Sequence, residues 1–284
     1  MPIRRSRSSV ATVWPATIPK ADTVMHIPPH VYYKHLATTR STMLDIRSAE
    51  LLSRSEAFVL VAADAQSAGR GQRGTSWESA AGRNLMFSLL CRPTFLTAGA
   101  QFLISEIASL AVVHALSPYA ACRVKWPNDI YVGDRKICGM LIEHDIQGSH
   151  IARSIVGPGI NVNQEAFLSD APNPVSLRQL LGHDVNREEV LERFVHYFVT
   201  RYDDLAAGHG ADIDREYRSK LYRREGFHPY RDADGDFMAR IAGIEPCGRL
   251  VLEDTEGRRR HYAFKEVTYV LPSVNPSDTS SPTP

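Results

Sequence analysis

Lys125-Trp126-Pro127-Asn128-Asp129, together with the upstream Gly69-Arg70-Gly71-Gln72-Arg73-Gly74, is the text on which the fold turns. In the first stretch a lysine ends an apolar run and is followed by an aromatic residue, a proline and two short polar side chains. Proline fixes the turn and removes an amide donor. Asn128 and Asp129 are then free to bond neighbouring backbone or a ligand. The second stretch alternates glycines, which permit close backbone approach, with Arg70 and Arg73, whose planar forks suit carboxylate or phosphate oxygens. Together they describe a cradle for anions in which side chains supply the charge.

Residues 69–74 also satisfy G-x-G-x-x-G, but the context excludes a dinucleotide-binding turn. That turn closes a strand, opens an apolar helix and is followed by an acid roughly 20 residues on. Here the motif runs into Thr75-Ser76-Trp77-Glu78-Ser79 and a second turn at Gly82, with no acid between Glu78 and Glu106. The catalytic-loop and metal-binding aspartate motifs of protein kinases are missing as well.

At this point the chain resembles the biotin protein ligases. The resemblance is carried by Ser41-Thr42, Gln66, the segment Gly69 to Trp77, Gly82-Arg83-Asn84-Leu85, Lys125 to Asp129, Lys136 with Gly139-Met140-Leu141-Ile142-Glu143, and Gly157-Pro158-Gly159-Ile160-Asn161-Val162-Asn163. These fall in the family's order and spacing across roughly residues 35–271. The resemblance implies an enzyme that activates biotin with ATP and Mg²⁺ as biotinyl-5'-AMP and passes it to a lysine of a biotin carboxyl carrier domain. It implies an α/β catalytic domain with a mixed β-sheet packed with helices, followed by a small SH3-like β-barrel.

The resemblance also distributes roles. Lys125 and Arg70 are the catalytic candidates, placed at the biotin carboxylate and the α-phosphate. Ser41, Thr42, Met43, Gln66, Arg70, Gly71, Gln72, Lys125 and Gly139 are the biotin-binding candidates. Arg73, Trp77, Asn128 and Asn161 are the ATP-binding candidates. Chemistry is compatible with these roles: a ureido ring needs one acceptor and two donors matched in an apolar pocket, and two anions meeting in one site need cationic donors. Other readings of the same residues stay open. Ser41-Thr42 is equally a helix cap, Trp77 stacks on adenine or packs the base of its loop, and Asp129 caps the turn or acts as a base. Met43 and Gln72 depart from the family's common asparagine and arginine, which shifts weight onto Arg70 and Lys125.

Composition narrows the setting. Thirty-three basic residues against 32 acidic ones give a formal charge of +1 and no reason to expect a polyanion as partner, so DNA is not expected. The four cysteines, at 91, 122, 138 and 247, form no C-x-x-C pair, and no secretory hydrophobic region precedes them. Reduced thiols in a cytoplasmic protein are therefore expected. Histidine spacing matches no zinc motif, and no protein-held metal is expected. Ile104 to Leu116, the longest apolar stretch, falls short of a membrane span and reads as a buried helix.

Along the chain, residues 1–30 read as a disordered extension, 31–222 as the catalytic domain, 223–272 as the SH3-like module and 273–284 as a disordered tail. The extension holds Arg4, Arg5, Arg7 and one acid, Asp22, without hydrophobic periodicity. A translation start at Met25 is expected, as is the lack of a DNA-reading helix pair. Helices are predicted over 43–52, 101–116, 187–207 and 212–222, and strands over 57–63, 85–91, 123–126, 130–132, 136–144 and 154–162. Short alternating segments follow from Gly226. An exposed sheet edge would support a homodimer. The alternatives are a lipoate or octanoate ligase or transferase of the same fold, and a noncatalytic biotin sensor.

Overall fold

The computed structural model describes residues 25–71, 77–168 and 173–271. Most of the extension and the tail, and the positions Gln72 and Arg73, lie outside these residues. Seven strands form one mixed sheet: β1 (Val31–Thr39), β2 (Phe58–Gln66), β3 (Leu85–Cys91), β4 (Cys122–Lys125), β5 (Asp129–Val132), β6 (Arg135–Gln147) and β7 (His150–Ile160), in the order β1-β2-β3-β7-β6-β5-β4. β1 and β2 run parallel, and every other neighbouring pair is antiparallel.

Side-chain alternation divides the sheet into two faces. On one, Phe58, Leu60, Phe87 and Leu89 join the main core beneath α3 (Phe102–Leu116) and α5 (Arg187–Ala206). On the other, Val59, Val61, Leu90 and Ile155 meet Met43, Ile46 and Leu51 from the short helices α1 (Thr42–Asp45) and α2 (Ala49–Leu52). The helix predicted over 43–52 is thus two pieces. Ser48 leaves the helical region (φ −62°, ψ 148°) and its hydroxyl accepts from Leu51 N, so it starts a second helix. β1 is an edge strand with only Val31 buried, which is why no clean alternation marked it.

α3 is apolar on all sides. With the 3₁₀ turn before it, Ala98–Leu116 reaches 19 residues, so length and composition alone would allow a membrane crossing, against the shorter stretch expected. Its position decides otherwise: it is mostly buried, packed among the sheet, α5 and α6 (Gly210–Ser219). α5 buries Val190, Leu191, Phe194, Val195, Phe198 and Val199, one stripe at helical spacing. α4 (Leu177–Leu181), absent from the expectations, is a single turn closed by a capping box between Ser176 and Gln179, with Gly182 left-handed (φ 77°) at its end.

The C-terminal residues form a second, antiparallel sheet of β8 (His228–Asp232), β9 (Gly235–Ile244), β10 (Leu250–Asp254), β11 (Arg259–Tyr262) and β12 (Thr268–Tyr269), in the order β11-β10-β9-β8-β12. This is the small all-β module expected. Tyr230, Ala239, Leu250, Leu252 and Tyr269 belong to the same apolar cluster as α3 and the large sheet. Polar contacts cross the junction too: Trp126 Nε1 donates to Gly248 O at 2.9 Å, and Arg218 donates to Ile244 O at 2.6 Å.

Candidate active site

A cleft of about 830 Å³ opens on the sheet face that carries α1, at the end where β6 and β7 present glycines. Its volume lies within the range of small-molecule sites. One end is polar. Ser41 and Thr42 are 1% and 2% exposed, and Gln66, the last residue of β2, accepts at Oε1 from Thr42 N (2.7 Å) and Thr42 Oγ1 (3.2 Å). Ser88 Oγ donates to Thr42 Oγ1 at 2.9 Å. The start of α1 is therefore tied to β2 by Gln66, which also lines the cleft, and to β3 by the fully buried Ser88.

The middle of the cleft is apolar. Here glycine is required by close approach: a Cβ on Gly157 would lie 2.5 Å from Met43 Sδ, and one on Gly159 would collide with the Trp77 indole. Gly139 stands directly opposite Gly159 across the β6–β7 pairing, under the same indole and 3.0 Å from Lys136 Nζ by the same measure. Alternate residues along this face thus meet Met43 at Gly157 and Trp77 at Gly159, with the buried Asn161 just beyond the strand. The Trp77 indole N–H and the Asn161 side-chain oxygen are both buried without a hydrogen-bond partner among the described residues, and both residues line the cleft. A donor and an acceptor without partners at this depth are groups a ligand would satisfy.

The other end is cationic. Lys125, at the end of β4, pairs across its hairpin with Asp129, and Asp129 Oδ1 lies 2.8 Å from Lys136 Nζ. The Lys125 ammonium sits 5.4 Å from the Tyr131 ring centre and 4.8 Å from that of Tyr269. Burial holds its pKa below the usual lysine range; Asp129 opposes this, while Lys136 and Arg223 reinforce it. The turn that delivers Lys125 contains a cis Trp126-Pro127 bond, and Tyr217 OH donates to Pro127 O at 2.6 Å.

Of the residues expected from the sequence, Ser41, Thr42, Met43, Gln66, Arg70, Gly71, Trp77, Lys125, Gly139 and Asn161 line this one cleft. Gln72 and Arg73 lie outside the described residues. Asn128 is placed elsewhere: it is 4% exposed, its amide donates to Met140 O at 3.2 Å, and it lines a separate, smaller hollow against the C-terminal module. The structure thus gives it the task of fixing β6 to the turn. Asp129 is ion-paired with Lys136 at the cleft wall. Lys136, Tyr131, Gly157, Gly159 and Lys265 also line the cleft and were not among the expected site residues. Lys136 carried a signal that sequence reasoning passed over, for it stands in the matched segment that ends at Glu143.

A family model described as the biotin/lipoate A/B protein ligase family matches residues 36–161. The biotin–[acetyl-CoA-carboxylase] ligase of Paracoccus denitrificans is 32% identical over 234 residues, covering 79% of this chain and 95% of that one. The chain belongs to the biotin protein ligases. The bifunctional ligase/repressor BirA of Bacillus subtilis is 30% identical over 240 residues, 82% of this chain and 72% of that one. Among solved structures, the biotin protein ligase from Aquifex aeolicus in complex with biotin and ATP overlays with a TM-score of 0.70 at 23% identity, over 85% of this chain and 99% of that one, a likeness of fold. The ligase fold thus agrees with the fold class expected from the sequence.

Proposed function

We propose that this ligase joins biotin to ATP as biotinyl-5'-AMP and transfers the biotinyl group to a lysine of a biotin carboxyl carrier domain. The observation that carries the proposal is the layout of one cleft: a donor and acceptor cluster of Ser41, Thr42 and Gln66 at one end, and Lys125 with Lys136 at the other. Between them lies an apolar floor of Met43 and the glycines of β6 and β7. A molecule with a ureido head, an aliphatic tail and a carboxylate matches that order.

In the first step a biotin carboxylate oxygen attacks the α-phosphorus, the bond to pyrophosphate breaks, and a mixed anhydride forms. Lys125 and Lys136 would offset the charge gathering on the α-phosphate oxygens, an effect strengthened by their partly buried surroundings. Arg70 would approach from the loop side of the cleft. Mg²⁺ would arrive on the ATP phosphates, which with water supply most of its oxygen ligands. In the second step the neutral carrier amine attacks the anhydride carbonyl and AMP leaves. Asp129, which lines the cleft as Glu78 does and is ion-paired with Lys136, would take the amine's proton.

The proposal is tested by intact mass of a biotin carboxyl carrier domain after incubation with the protein, ATP and Mg²⁺. A gain of one biotinyl group that needs biotin, ATP and Lys125 is expected. A lipoyl or octanoyl gain instead would assign the cleft to the other branch of the matched family, and biotin binding without transfer would leave a sensor.

A further inference from the structure

We propose that Tyr269, in the last strand of the C-terminal module, is a positioning residue for Lys125: with Tyr131 it forms an aromatic seat that keeps this lysine charged. The inference rests on the proposed ligase function and adds to it a contribution from the second sheet. The two ring centres lie 4.8 Å and 5.4 Å from the Lys125 ammonium, inside the distance at which the negative face of a ring attracts a cation.

Tyr269 is itself held rigidly. It pairs with Tyr230 across β8 and β12, and the two rings meet edge to face at 4.9 Å. Arg223, in left-handed backbone (φ 56°), donates to Val270 O at 2.9 Å and so ties the strand to the end of α6. The Tyr269 hydroxyl is buried and has no hydrogen-bond partner among the described residues. Its ring is the part that faces the Lys125 ammonium. Burial keeps the phenol far above its ordinary pKa, so the ring presents a neutral face at every working pH.

The groups around Lys125 divide by sign. Asp129 on β5 favours the cation. Lys136 on β6 and Arg223 after α6 disfavour it, as does burial. Tyr131 and Tyr269 supply attraction from neutral faces, and Tyr222 packs beside both. Without the rings the unfavourable set would gain, and the lysine would lose its proton at lower pH.

The test uses the full-length protein and the variants Tyr269→Phe, Tyr269→Leu and Tyr131→Leu. Trace acetylation across pH, read by mass spectrometry with the half-exposed Lys34 as internal reference, gives the Lys125 pKa without any substrate; biotinyl-AMP formation is profiled in parallel. Tyr269→Leu is expected to lower that pKa by roughly one unit, about the effect of a partly desolvated cation–π contact, and to move the alkaline limb of kcat/KM down equally. Tyr269→Phe should overlay the wild type, since only an unpartnered hydroxyl is removed. Tyr131→Leu should reproduce the shift from the other side, and it carries the test if Tyr269→Leu does not fold. An unmoved pKa in the leucine variants, or equal damage from phenylalanine, would overturn the inference. A shifted pKa in a protein whose wild type makes no biotinyl-AMP would instead overturn the ligase proposal and leave the seat standing.

Discussion

Lys125 is placed by groups scattered along the chain, and at the scale of single residues this governs both prediction and legibility. Lys125→Ala is expected to slow adenylate formation by about 10²- to 10³-fold, the range seen when one preorganised donor to developing charge is removed. Single-turnover assays at saturating biotin would check it. Gly157→Ala should act on the apolar middle of the cleft. The added methyl meets Met43 Sδ, so Met43 must move into the space of the ligand, and KM for biotin should rise at least roughly tenfold with kcat less affected. The Lys125 to Asp129 block was legible because its residues are contiguous and chemically unusual. Gly157 and Gly159 were legible only as parts of a motif, since their partners Met43 and Trp77 come from distant segments. Asn128 shows the limit for the same reason: its type suits a nucleotide, and only the register of β6 reveals that its amide donates to Met140 O.

At the scale of elements, the packing of α3 against α6 carries a pH dependence. Glu106 is 2% exposed, one of its oxygens has no hydrogen-bond partner among the described residues, and burial followed by the neighbouring Asp214 raises its pKa to about 8. The folded protein therefore keeps a proton that an unfolded glutamate releases near its ordinary value. Wild-type stability should be fullest below that value and decline as pH rises towards about 8. Glu106→Gln should flatten this decline and raise the melting temperature at pH 8 more than at pH 5, as thermal melts across pH would show. Most elements were readable from periodicity: β3 and α3 lie within one residue of their expected bounds. The exceptions are physical. β1 is an edge strand with two half-exposed faces, and α1 and α2 are split by Ser48, whose side chain caps the second helix.

At the scale of the whole molecule, the seven-stranded sheet and the C-terminal module share one apolar cluster, with Trp126 bridging the turn after β4 to Gly248. The two sheets should unfold together in a single calorimetric transition. Trp126→Phe, which keeps the ring and loses the 2.9 Å hydrogen bond, should lower stability by about 1 kcal/mol. Denaturant melts would read that loss and would show a second transition if the sheets were independent. That a mixed sheet would be followed by an all-β module was readable from the change of text at Gly226; that the module brings a ring to within 4.8 Å of Lys125 was not, because Tyr269 is unremarkable in sequence. The central claim is that this cleft makes an acyl-adenylate from biotin. It is met most directly by exchange of labelled pyrophosphate into ATP. Label should enter ATP only when biotin is present and should do so about 10²- to 10³-fold more slowly in Lys125→Ala while biotin still binds; exchange that ignores biotin, or none at all in a wild-type protein that binds both substrates, would contradict the account.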